Sequence, residues 1–214
     1  MRPFASALDH LLIGAPTLEG GIGWLEERTG IRAAKGGAHL GLGTWNALAS
    51  LGPAQYVEII APDPGQPEVE TFYVPGLRDF KEPRIATWAA HTDELRSRFT
   101  KALPDAFVCE PPRQGSRIRP EGTRLAWSLA FPRHAARGNF DGALPFFIEW
   151  EAGSPHPGLA APSGLRLLLM TIAHPSHGEL NDALRSLEIE GAVREDTTPA
   201  IQVELDTPKG VVVL

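Results

Sequence analysis

Four ionisable residues sit in settings that favour chemistry over solvation. His10 lies inside the apolar run Leu8-Asp9-His10-Leu11-Leu12-Ile13, and Glu58 stands between Val57 and Ile59. Glu149 repeats that setting between Ile148 and Trp150, and His39 is surrounded by Gly36, Gly37, Gly41 and Gly43. A buried ionised carboxylate without a partner is costly. Each glutamate therefore needs a metal ion, a partner cation or a held proton, and the last would suit a general base. Imidazoles and carboxylates on neighbouring strands also form a donor set for a divalent ion. The plain alternative for His10 is a core histidine bonded to backbone, and for His39 a turn cap.

The elements that must position these residues follow from the hydrophobic pattern. Residues 7–14 are apolar on both faces and read as a central strand. Leu18, Ile22 and Leu25 then sit at helical spacing, with Thr17 as a cap and Gly30 as the closing glycine. Residues 36–43 read as loop or irregular strand because of their glycines. Strands are expected at 46–51 and 55–61 around Gly52-Pro53-Ala54.

After a Pro-, Gly- and acid-rich stretch at about 63–83, the order repeats. It runs as a strand at 85–90, a helix from Leu95 to about Leu103, a basic loop at 111–122, and strands at 124–131 and 144–150. A shorter third copy has a strand at 165–172, a helix at 179–187 and a hairpin over 200–214 turned at Thr207-Pro208-Lys209. The predicted class is α+β. One domain over 1–214 is expected, with a βαβββ module at about 7–62, a linker at about 63–83, a second module at about 84–152 and a partial βαββ repeat at about 164–214. Paired modules would form a curved mixed sheet with a cleft, where ligand sites tend to lie.

Strand alternation assigns faces. His10, Leu8 and Leu12 are expected on the trough face, with Tyr56, Glu58 and Ile60 beside them. In the second module Phe146, Ile148 and Trp150 are expected against the helix, leaving Phe147, Glu149 and Glu151 on the trough side.

Three pieces together, Leu8-Asp9-His10-Leu11, the Gly-Gly-x-His-x-Gly-x-Gly-Thr-x-Asn stretch at 36–46, and Tyr56-Val57-Glu58, resemble glyoxalase-like domain proteins of the vicinal oxygen chelate superfamily. Arg119-Pro120-Glu121-Gly122, the run from Leu144 to Trp150, and Ser154-Pro155-His156-Pro157 are similar too, so the resemblance spans roughly 7–214. It implies a metal-dependent lyase, isomerase or dioxygenase-type enzyme acting on a small oxygenated metabolite. His10, Glu58 and Glu149 match the ligand positions for one divalent ion (Zn, Ni, Mn or Fe), and Glu58 or Glu149 would be the base. The position equivalent to His10 in the second module is Thr87, a poor ligand, and His39 is the candidate to fill that vacancy. The same departure supports an alternative, a metal-free protein that binds or sequesters a small molecule in the same cleft.

Asn46, Trp45 and Arg119 are candidate substrate contacts. Arg113, Arg117, Arg119 and Arg124 read first as a solvated loop, and otherwise as a clamp for a substrate carboxylate. Trp88, Trp127 and Trp150 read as core, although Trp127 could line a cleft, and His174 and His177 read as surface residues capping a helix. The sequence has no phosphate-binding glycine loop, HExxH, GxSxG elbow or CxxC pair.

The net charge of −6 argues against nucleic acid or an anionic membrane as main partner. No apolar run is long enough to span a bilayer. The start of the chain lacks the apolar segment of a signal peptide, and the single cysteine, Cys109, fits a reducing compartment. A cytoplasmic protein with a small-molecule ligand is expected, and a homodimer is left open.

Overall fold

The computed structural model describes residues 2–71, 74–100, 106–118, 122–191 and 193–214. It is a mixed α+β fold of strands with few helices, as the pattern predicts. The chain divides into two compact units, each assembled from separate stretches. One holds His10–Ala86, His156–Leu169 and Val203–Leu214; the other holds Met1–Asp9, Thr87–Pro155 and Met170–Gln202.

In the first of these units, strand β1 (Leu8–Gly14, of which it holds the part from His10) leads into helix α1 (Leu18–Thr29) and then strands β2 (Ala34–His39), β3 (Thr44–Gly52) and β4 (Gln55–Pro62). The strand order is β2-β3-β4-β1, antiparallel except for the parallel β1–β4 pair. Helix α1 begins where the Thr17 hydroxyl accepts the Gly20 N–H at 3.2 Å and ends at Gly30 in the left-handed region. Leu18, Ile22 and Leu25 are buried at i, i+4 and i+7, each contributing about 1.5–3 kcal/mol of apolar burial.

The glycine-rich stretch is more regular than its composition predicts. It continues as β2 as far as His39, because an edge strand facing β3 tolerates residues without side chains. The chain then turns through Leu40–Gly43. Gly43 has φ of +69°, and a Cβ there would lie 2.4 Å from the Val69 carbonyl oxygen, so only glycine fits. Gln66 latches the turn: its Oε1 accepts the Gly41 N–H, and its Nε2 donates to the His39 carbonyl. The segment between the modules buries Val74 and Leu77.

The other unit contains β5 (Arg84–His91), α2 (Leu95–Thr100), β6 (Arg113–Ile118), β7 (Arg124–Ala130) and β8 (Phe146–Trp150), ordered β5-β8-β7-β6. Strand β6 lies inside the expected basic loop. Its Arg-Gln-Gly-Ser-Arg sequence carries no apolar alternation, and pairing with β7 supplies its order. The expected faces of β8 are reversed. The ring centroid of Phe147 lies 4.9 Å from that of Phe99 on α2, and Glu149 Oε2 accepts the Leu95 N–H at the start of that helix. Phe147 and Glu149 therefore face α2, while Trp150 packs edge-on against Trp127. Thr87 is likewise committed to structure: its hydroxyl donates to the Gly142 carbonyl at 2.9 Å.

Strand β9 (Arg166–Ala173), helix α3 (His177–Ser186) and the hairpin β10 (Ala200–Thr207) and β11 (Gly210–Val213) complete the chain. The Thr207 hydroxyl closes the hairpin turn by donating to the Gly210 carbonyl. No helix among the described residues is long and apolar enough to cross a membrane.

Candidate functional site

Sheet register gathers one polar group on a single face of the β2-β3-β4-β1 sheet. His10 is paired with Tyr56 and Leu12 with Glu58 across the parallel β1–β4 ladder. Leu48 stands opposite Glu58, Gly37 opposite Asn46, and His39 opposite Thr44. Directly opposed residues share a face, as do residues two apart, so His10, Tyr56, Glu58, Asn46, Thr44 and His39 all point the same way. The opposite face belongs to α1, against which Ile59 packs. Trp45 also lies on that opposite face, beneath Lys35, with its Nε1 buried and without a hydrogen-bond partner.

Asn46 is the hub of the group. Its Nδ2 donates to Glu58 Oε1 at 2.7 Å and lies 3.1 Å from His39 Nε2. On its other side His39 Nδ1 is 2.9 Å from the Thr44 hydroxyl. The second oxygen of Glu58 lies 3.3 Å from His10 Nε2. The His10 ring stacks on Tyr56 with centroids 4.5 Å apart, and His156 approaches the same tyrosine edge-on at 5.5 Å. His10, Asn46 and Glu58 are all buried, Glu58 at 6% exposure. Its carboxylate is thus held by an amide N–H on one oxygen and an imidazole on the other, as a buried carboxylate requires.

Part of this donor set is spaced for a divalent ion. His10 Nε2 and Glu58 Oε2 are spaced as two ligands of one ion would be, each about 2.0–2.2 Å from the metal. Among the described residues of this unit a third ligand is not brought to the same ion. His39 Nε2 lies 3.8 Å from Glu58 Oε1, on the other side of the carboxylate, and the Asn46 amide bridges the two. Among the described residues no group of three or more His, Cys, Asp or Glu side chains is disposed to hold a metal. His10, Glu58 and His39, as arranged in this unit, do not by themselves form the ligand set implied by the resemblance.

The remaining candidates stand elsewhere. Glu149 belongs to the other unit, where it caps α2. It also lines a cleft of about 740 Å³ with Leu95, Gln114, Ser128, Arg124 and Glu151, the last two forming an ion pair at 3.0 Å. Arg119 lies outside the described residues. Cys109 is half-buried, and burial pushes its thiol above the ordinary range, which does not suit a nucleophile. His174 is buried rather than on the surface, and its Nδ1 accepts the Ser176 N–H.

Asp9 and His91 received no weight in the sequence. Asp9 is fully buried, its Oδ2 accepts the Trp150 indole N–H at 3.0 Å, and His91 Nδ1 lies 3.6 Å from the same oxygen. Hydrogen bonding to Asp9 is the largest cause holding the His91 imidazole above its ordinary value of 6.5, with Asp93 adding to it. An aspartate within an otherwise apolar strand was the available signal. A histidine raised in the folded state contributes stability that is fully present below about pH 6.5 and is lost as pH rises through its folded value. Asp9→Asn is expected to shift the His91 titration downward and to flatten stability across that window. Imidazole NMR titration and denaturation at stepped pH check both.

The family described as "Glyoxalase-like domain" matches residues 8–188. No curated protein matches. Among solved structures, a hypothetical protein from Staphylococcus aureus is similar with a TM-score of 0.65 at 15% identity, over 96% of this chain and 83% of that one. Methylmalonyl-CoA epimerase from Mycobacterium tuberculosis gives 0.42 at 18% identity, over 75% and 95% of the two chains. A Streptomyces coelicolor methylmalonyl-CoA epimerase in complex with 2-nitronate-propionyl-CoA gives 0.43 at 13%, over 71% and 99%. The first of these similarities supports the fold alone.

Proposed function

We propose a function from two facts: the chain belongs to the glyoxalase-like domain family of the vicinal oxygen chelate superfamily, and one sheet face holds a buried, oriented carboxylate at Glu58. On this reading the protein is an isomerase- or lyase-type enzyme that moves a proton on a small oxygenated carbon acid, with Glu58 as general base. The observation that carries it is the division of labour at the carboxylate. Asn46 donates to Oε1 and His10 Nε2 lies 3.3 Å from Oε2, so the carboxylate is held in one orientation, with a second lone pair on Oε2 to take the proton. Burial strengthens these electrostatic contacts by excluding water. On this reading the proton passes between substrate and carboxylate without a metal ion.

The test is solvent exchange. Chelator-treated protein is incubated in D₂O with small 2-hydroxy and 2-oxo acids, and deuterium at the carbon next to the carbonyl or carboxylate is followed by NMR. Enzyme-dependent exchange supports the reading, and exchange that appears only when a divalent ion is restored would overturn it. A second reading, metal-free sequestration of the same class of ligand, rests on the near-complete burial of the polar group. It predicts that a ligand raises thermal stability with no exchange at all.

A further inference from the structure

Asn46 has a role that hydrogen-bond directionality alone defines. The Gly37 N–H lies 3.1 Å from Asn46 Oδ1, and a backbone N–H can only donate. The amide oxygen must therefore face Gly37, and the NH₂ group must face Glu58 and His39. Its two hydrogens reach Glu58 Oε1 and His39 Nε2. A donor aimed at His39 Nε2 requires a lone pair there, so the ring proton sits on Nδ1, where it donates to the Thr44 hydroxyl at 2.9 Å. His39 is thereby held as a neutral imidazole of one tautomer, and both atoms that would complete a metal site are already engaged by N–H groups.

We propose that Asn46 is the residue that excludes divalent cations from this face and fixes His39 as the Nδ1–H tautomer. It acts as a positioning residue, and the inference rests on the same Glu58 site as the proposed function. A cation near Glu58 Oε1 would meet the amide hydrogens, which repel it and offer no lone pair. Aspartate has nearly the same shape with the opposite chemistry. Asn46→Asp replaces two donors by an anionic acceptor beside Glu58, and two carboxylates at that spacing cannot both ionise without a cation or proton between them. The variant then presents two carboxylates and His39 around Glu58 Oε1, a mixed set that suits zinc.

The experiment titrates chelator-stripped wild type and Asn46→Asp with zinc alone, by calorimetry and thermal denaturation. Groups next to metal ligands change affinity by roughly 10–100-fold, and a residue that itself becomes a donor is expected at the upper end. Asn46→Asp should bind one zinc about 100-fold more tightly than wild type. Zinc should raise the melting temperature of the variant only, and adding His39→Ala should cancel the gain. Imidazole NMR should find the His39 proton on Nδ1 in wild type and on Nε2 in the zinc-free variant, since a carboxylate only accepts.

Wild-type zinc binding as tight as the variant's, or a wild-type His39 protonated on Nε2, would overturn the proposal. Should Asn46→Asp not fold, Asn46→Ala reads the same terms: zinc binding rises about tenfold and the single tautomer is lost, and no change in either overturns it. These readouts need no substrate, so they stand or fall separately from the exchange chemistry proposed for Glu58.

Discussion

Glu58→Gln is expected to lower proton exchange by about 10²–10⁴-fold while leaving ligand affinity within a few-fold of wild type. Glutamine keeps the length and the acceptor that Asn46 requires: its amide oxygen takes the Asn46 N–H that Glu58 Oε1 accepts at 2.7 Å. Its NH₂ then faces His10 Nε2, which lies 3.3 Å from Glu58 Oε2 in the wild type, and a neutral imidazole can accept there by changing tautomer. The fold survives and the base is gone, so kcat falls and KM stays. Glu58→Ala separates this from a structural loss. It leaves the buried Asn46 N–H without an acceptor, at a cost of about 1–3 kcal/mol in stability. Denaturant melts alongside kinetics check both. Equal losses of affinity and turnover in Glu58→Gln, or normal exchange, would remove Glu58 from the role of base.

The site was legible in part. His10 and Glu58 could be put on one face from alternation alone, because strands β1 and β4 have unbroken period-two geometry and a tight turn precedes β4. Asn46 could be named but not understood. Its role depends on cross-strand register and on the direction of one backbone N–H, and neither is written in the residue order. His39 was expected on a loop or irregular strand because glycines usually mark such segments. Here they lie on an edge strand, and the histidine comes alongside Glu58 within the sheet.

The face of Glu149 was misread for a different reason. Phe146, Phe147 and Ile148 are all bulky, apolar and buried, so neither face of β8 is marked polar and the strand can be read in either parity. The sequence favoured the parity that made Glu149 match Glu58, while packing chose the one that seats Phe147 on α2. Thr87 is a separate case. It departs from the histidine expected at that place in the second module, and its hydroxyl has a task of its own on the Gly142 carbonyl.

The opposite face of the sheet supplies the second large effect. Helix α1 contains Gly20, Gly21 and Gly23, a poor composition for a helix, since each glycine costs roughly 0.5–1 kcal/mol relative to alanine. Gly21 is there for contact. A Cβ at that position would lie 2.4 Å from Ile59 Cγ2 and 2.9 Å from Ala15 Cβ, both in buried residues, whereas a Cβ at Gly23 meets nothing within 4 Å.

Two substitutions in one helix should therefore move stability in opposite directions. Gly23→Ala is expected to stabilise by about 0.5–1 kcal/mol through backbone entropy alone. Gly21→Val is expected to destabilise by about 3 kcal/mol, since the side chain must lift the helix from the sheet or push Ile59 off its rotamer. For a chain of this size that is a fall of roughly 6–12 °C in melting temperature. Ile59 sits between Glu58 and Ile60, so a displaced β4 also moves the carboxylate relative to Asn46. Even the surviving folded fraction of Gly21→Val should then lose turnover per folded molecule. Gly23→Ala, which leaves β4 in place, should keep it.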